Sequence, residues 1–149
     1  MSWDFALKHY QELSKKELFD LAKLRIDVFI VEQHCPYPDL EELDQNCHHF
    51  LGKNKDQLGL YARLIATENP AIKKLGRIIV SPEFRPQKVG KLLMTEALQA
   101  TKSAFPETEQ IVISAQQAIV SFYQSVGFIP EGDIYLEDRI PHIKMVYSY

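Results

Sequence analysis

The chain has 149 residues, the length of one domain, and at this size folding buries roughly 70% of the unfolded surface without disulfide or metal staples. Hydrophobic residues make up 46% and charged residues 25%, which excludes a disordered or fibrous chain. The 17 basic and 20 acidic side chains leave a formal charge of -3, so the overall field favours neither nucleic acid nor an anionic membrane.

Trp3, Phe5 and Leu7 alternate with small or polar residues and predict a short first strand. The first ten residues include Asp4 and lack the basic region and apolar run of a signal peptide; no apolar stretch of 18 residues occurs anywhere. The expected location is the cytoplasm, and a homodimer is among the assembly states left open.

Ser14 and Glu17 have capping-box spacing, and Leu18, Leu21, Ala22, Arg25 and Phe29 then recur at helical intervals. Arg25, a charge on an apolar face, reads either as a structural ion pair or as a group at a substrate opening. The helix should lose regularity before Cys35-Pro36-Tyr37-Pro38. The acidic run Asp39, Glu41, Glu42 and Asp44 reads as solvated surface or, alternatively, as a pocket mouth that attracts cationic amines. Cys35 and Cys47 are expected to be free thiols, and His48-His49 beside Cys47 lack a zinc-site spacing, so no metal is expected.

Strands are expected over His48 to Lys53 and Leu58 to Thr67, with a tight reversal between them, and over Gly76 to Val80, ending at Ser81-Pro82. Val89, Leu93, Ala97 and Ala100 line one side of a following helix that must stop before Phe105-Pro106. A short strand over Ile111 to Ser114, a helix through Phe122 and Tyr123 ended by Gly127, and a terminal strand pair or longer irregular hairpin over Phe128 to Leu136, Glu137-Asp138-Arg139 and Ile140 to Tyr147 complete the pattern.

The most informative arrangement is the strand Gly76 to Val80 followed by Arg85-Pro86-Gln87-Lys88-Val89-Gly90-Lys91-Leu92. A strand that turns into a helix aims unpaired N–H groups at phosphate oxygens, and Arg85, Lys88 and Lys91 add positive potential. The bland reading is a turn with exposed basic groups. The glycine pattern is neither that of a Walker loop nor that of a dinucleotide fingerprint.

Taken with Leu24 to Gln33, Cys35-Pro36-Tyr37, Ser121 to Phe128 and Ile140 to Met145, this segment resembles the GNAT superfamily of N-acetyltransferases, in particular its ElaA-like branch. The resemblance implies an α/β fold (α+β in some schemes), the GNAT-like acyl-CoA N-acyltransferase fold: a mixed, twisted central sheet split near its middle and flanked by helices. It implies acetyl-CoA as acyl donor, an amine of a small molecule or an exposed peptide or protein amine as acceptor, and direct transfer without an acyl-enzyme. The implied cofactor-binding residues are Ile78, Ile79, Val80, Arg85, Gln87, Lys88, Val89, Gly90, Lys91, Gln117 and Tyr123. Lys88 stands where much of the superfamily has glycine, a departure that restricts the backbone.

The same resemblance puts Tyr123 at the general-acid position, while an N–H near Ile79 or Val80 would stabilise the oxyanion. Glu32, Asp44, His48, His49 and His142 are the candidate proton acceptors, His142 ahead because it lies in the matching carboxy-terminal segment. Water is a further acceptor, and the alternative function is a CoA-binding regulatory or protein-interaction module without turnover.

Overall fold

The computed structural model describes residues 2–149. Seven strands form one sheet in the order β1-β2-β3-β4-β5-β7-β6, with ranges β1 Asp4–His9, β2 His48–Asn54, β3 Gln57–Ala66, β4 Ile72–Val80, β5 Gln110–Gln116, β6 Ile129–Glu137 and β7 Ile140–Ser148. The helices are α1 Lys15–Arg25, α2 Gly90–Ala104 and α3 Val120–Ser125. Every neighbouring pair is antiparallel except β4 and β5, which are joined through α2.

Alternation along β3 sorts its side chains between two apolar layers. Leu60, Ala62 and Leu64 face Leu93, Met94, Ala97 and Leu98 of α2, whereas Tyr61 joins Leu21, Val28, Leu51 and Ile79 on the α1 side. Leu60 and Leu93 are fully buried, each stabilising the fold by about 1.5–3 kcal/mol relative to exposure. The expected stripe of α2 holds, with Val89 and Ala100 packed at the edge of the same core and Lys91 exposed.

The capping box forms as spaced: Ser14 Oγ accepts from the Glu17 N–H at 3.0 Å, and Glu17 Oε1 accepts from the Ser14 N–H at 2.9 Å. Regular α-helix ends at Arg25, earlier than expected, and Ile26–Glu32 continues as a wider coil. Its signature is the pair of bonds Gln33 N–H to Val28 O and Cys35 N–H to Ile30 O, each spanning five residues. The β-branched residues Ile26, Val28, Ile30 and Val31 hold the α-form weakly.

Strand β4 begins four residues before the expected Gly76, because Lys73 and Lys74 hid the pattern. Lys73 is nonetheless buried, with its ammonium on Pro70 O at 3.1 Å and 4.8 Å from the Phe105 ring centre. Two hairpins turn on residue pairs with positive φ, Lys55-Asp56 at 49° and 67° and Asp138-Arg139 at 51° and 66°, the mirror-type turns that match strand twist. The terminal strands therefore form a tight hairpin. Gly127 ends α3 at φ 101°, as expected.

Candidate active site

Strands β4 and β5 pair at only three positions, Ile72 with Gln110, Lys73 with Ile111 and Lys74 with Val112, although β4 runs on to Val80 and β5 to Gln116. Beyond Lys74 the sheet opens into the split that the resemblance implies. A bulge in β4 sharpens the divergence: Tyr61 pairs with Ile79 and Arg63 with Gly76, so β4 carries an extra residue, and Arg77 takes φ 49°. The opening leads into a cavity of about 1380 Å³, lined by β4, β5, the β6–β7 hairpin and the Ile26–Glu32 coil with the loop after it.

Ile78, Ile79, Val80, Arg85, Tyr123 and His142 all line this cavity. Ser81 donates its N–H to Gly59 O in β3 at 2.8 Å. Backbone alternation then turns the Ile79 N–H toward β3 and the Val80 N–H away from it, toward the split. Arg85 spans the end of β4, donating through Nε to Val80 O at 3.0 Å and through its fork to both Glu32 oxygens at 2.6 and 2.8 Å.

Gln87, Lys88, Val89, Gly90 and Lys91 sit outside the cavity lining, in the turn beyond Arg85 and the start of α2, and Gln117 lies in the turn after β5. Lys88 adopts φ 55°, ψ 45°, the left-handed conformation that glycine would take there. Val89 provides no capping side chain, so the first N–H groups of α2 remain available to an anion. A Cβ on Gly90 would stand 3.2 Å from Phe122 Cζ; this glycine serves the close packing of α2 on α3.

Tyr123 is buried edge-on against Phe122 and Phe128, at ring-centre distances of 5.2 and 5.9 Å. Among the described residues its hydroxyl has no hydrogen-bond partner, and burial pushes its pKa up to about 12, so the phenol is protonated at neutral pH. His142 lies at the other arm of the split. Its Nδ1 is 2.7 Å from Ile140 O, a carbonyl that can only accept, so Nδ1 carries the hydrogen of the neutral ring. The lone pair is then on Nε2, which is 3.4 Å from Glu137 Oε2.

The other candidate proton acceptors are engaged elsewhere. Glu32 is clamped by Arg85, and His48 packs edge-on against His9 and Phe105 outside the cavity. His49 is fully buried, with Nε2 2.9 Å from Asp44 O and Nδ1 2.7 Å from Tyr61 OH; burial lowers its pKa. Asp44 is buried between Arg25 and Arg63, at 2.7 and 2.9 Å.

The solvated reading of the acidic run holds only at the exposed Glu41 and Glu42, and none of the four acids lines the cavity. Asp39 and Asp44 are buried, and Glu41 is drawn onto Arg63 at 2.9 Å. Arg25 is fully buried and donates to Asp39 at 2.8 Å as well as to Asp44. A carboxylate left unpaired at such depth would be too costly to keep charged. Three arginines, Arg25, Arg63 and Arg77, pair with Asp39, Asp44 and Glu41, while the fourth acid of the run, Glu42, bonds to Gln45 at 3.1 Å. Cys47 is buried and Cys35 half-buried, both as free thiols.

A family model described as "Acetyltransferase (GNAT) domain" matches residues 11–149. The chain belongs to the GNAT acetyltransferase family. Within it the chain is ElaA-like: Protein ElaA of Escherichia coli is 41% identical over 142 residues, spanning 92% of this chain and 91% of that protein. A UPF0039 protein of Schizosaccharomyces pombe is 40% identical over 143 residues, covering 95% of both chains. A crystal structure of an acyl-CoA N-acyltransferase from Pseudomonas aeruginosa superposes with a TM-score of 0.90 at 37% identity, covering 99% of this chain and 100% of that one. The split sheet is therefore the acyl-CoA N-acyltransferase fold, a scaffold for acyl transfer from CoA, and no helix in the described residues is long and apolar enough to cross a membrane.

On this GNAT scaffold the sequence reading passed over Arg63, Arg77 and Glu137. Arg63 carried a legible signal, a charge inside the apolar run Leu58 to Thr67. Arg77 and Glu137 did not, since strand ends and hairpins commonly bear charges.

Proposed function

We propose that this protein transfers the acetyl group of acetyl-CoA to an amine by direct attack on the thioester. The observation that carries the reading is the Tyr123 hydroxyl, protonated and unpaired on the wall of the cavity where β4 and β5 part. The pyrophosphate lies at the start of α2, against the N–H groups of Gly90 and Lys91, and the thioester in the split. The amine nitrogen bonds to the acetyl carbon, the Val80 N–H stabilises the oxyanion, and the C–S bond breaks as Tyr123 gives its proton to the sulfur.

The proton lost by the amine passes to His142 Nε2, directly or through water, and the imidazolium so formed is met by the Glu137 carboxylate. Lys88 in place of the common glycine, together with the lack of an identifiable base in the sequence, argues for a CoA-binding module without turnover. Its left-handed backbone supports the active reading instead, because the turn keeps the shape that glycine would give it. Titration of acetyl-CoA into the folded protein, followed by an amine screen that reads thiol release and product mass, tests the proposal. Saturable binding and acetylated product are expected. Absence of binding overturns it, and stoichiometric binding without any product would replace it with the binding module.

A further inference from the structure

The β4 side of the cavity is built around Arg77. The β4 bulge sets this residue at φ 49°, and its guanidinium carbon stands 5.8 Å from the Phe29 ring centre and 5.7 Å from that of Tyr37. Nε donates to Asp39 Oδ1 at 2.8 Å. The group is thus held in place by two aromatic rings and one carboxylate, with little rotamer freedom left to lose.

Its terminal nitrogens are not used up by this anchoring. Glu41 Oε2 lies 3.8 Å from Nη2, beyond hydrogen-bond reach, and among the described residues neither terminal nitrogen donates to any acceptor. The side chain is 23% exposed and lines the cavity. Arg63, on the same wall, is 5% exposed. Its Nη1 is spent on Glu41 and Asp44, while its buried Nε has no partner among the described residues. Two arginines of one wall therefore retain unmet donors.

The β6–β7 hairpin brings acids to the same cavity: Glu137 and Asp138 line it beside His142, and Lys144, which also lines it, is paired with Glu131. We propose that the acceptor is an amine that also carries a carboxylate, the carboxylate seated on the Arg77 fork and the amine directed toward Glu137 and His142. The inference rests on the acetyltransferase reading for the identity of the step, but not for the binding of the carboxylate. A planar, anchored fork with two free N–H edges fits a carboxylate bidentately, and the amine reaches the acid-lined arm as an ammonium before giving up its proton to His142 or water. An acceptor with only amines would leave the Arg77 fork unpaired and face it with like charge.

The test uses matched pairs in which only the carboxylate changes: glycine and glycinamide, β-alanine and its amide, γ-aminobutyrate and its amide, leucine and leucinamide. The carboxamides have the less basic amines, so more of each is neutral at assay pH, and a preference for the carboxylate runs against that bias. In wild type, kcat/KM with acetyl-CoA should favour at least one carboxylate over its amide by about tenfold or more. Arg77→Gln should raise the KM of that carboxylate and shrink its advantage over the amide, with Arg77→Lys intermediate. Equal use of all pairs, or a preference kept in Arg77→Gln, overturns the proposal.

The same compounds titrated in the presence of CoA, without an acyl group, separate the two readings. Selective carboxylate binding that disappears in Arg77→Gln upholds the subsite even if no acetyl transfer occurs. Neither binding nor turnover of any carboxylate overturns it, whatever other amines are acetylated. A variant that fails to fold is set aside in favour of the wild-type comparison, which decides alone.

Discussion

Tyr123 and Arg25 are both large polar side chains sunk in apolar surroundings, and their different partners give them different tasks. Tyr123 holds its place by edge-on contacts with Phe122 and Phe128 and, among the described residues, has no polar partner for its hydroxyl. Tyr123→Phe keeps those contacts, so acetyl-CoA affinity should stay near wild type while single-turnover transfer slows by about 100-fold or more; an unchanged rate would remove Tyr123 from the chemical step. Arg25 has no free donor to offer a substrate, being bonded to Asp39, Asp44 and Tyr61 at full burial. Arg25→Ala leaves Asp39 and Asp44 short of a counter-charge and should cost about 3–5 kcal/mol of stability in denaturant unfolding. The residue was visible in the sequence as a charge on an apolar helix face. The choice between structural pair and substrate contact waited on where Asp39 and Asp44 fold to.

The start of α2 joins local chain geometry to coenzyme binding. Gly90 is the first helical residue, and any Cβ there presses on Phe122 of α3. Gly90→Val should push the helix start away from α3 and weaken acetyl-CoA binding about tenfold or more, with some loss of stability, whereas Lys91→Ala, which removes an exposed and screened charge, should change it by less than about threefold. Dissociation constants at two salt concentrations measure the difference; equal affinity in the two variants would detach the helix start from the coenzyme. The capping box, the α2 stripe and the Gly127 stop were legible because each is a local contest between neighbouring residues. The early change of α1 into a wider coil was not, since it follows from a small summed preference over Ile26 to Val31 and from the packing of Val28 on β3 and β4.

Across the molecule, two carboxylates tie separate elements together and set the response to acid. Burial alone would raise the Glu17 pKa, but Lys53, the Ser14 N–H and Lys8 outweigh it and hold the group at about 2, against 4.5 for the free side chain. Burial of Asp44 is likewise overcome by Arg25, the Glu41 N–H and Arg63, giving about 2 against 3.8. Because both pKa values are lower in the folded state, their contribution is complete above the unfolded values and is lost as pH falls toward 2. The melting temperature should therefore drop between about pH 5 and pH 2, and Glu17→Gln should flatten part of that slope. An acid profile identical in wild type and the double variant Glu17→Gln/Asp44→Asn would assign the loss to other groups.

Sequence by itself determined the features that depend on neighbours a few residues apart: the capping box, the α2 stripe, the Gly127 stop and the strand-to-helix turn from Val80 to Gly90. It also carried the family resemblance, through contiguous motifs. Only the tertiary structure decided which charges are spent and which are free. The acidic run from Asp39 to Asp44 looked solvated because its counter-charges, Arg25, Arg63 and Arg77, lie 14 to 38 positions away in the chain. The candidate bases follow the same rule: the partners that occupy Glu32, Asp44, His48 and His49 come from other elements, and His142, already ahead on its carboxy-terminal motif, is the one of the five that lines the cavity. Local propensity acts over a turn or two of chain, whereas the pairing of a buried charge is settled when distant segments pack and water is removed.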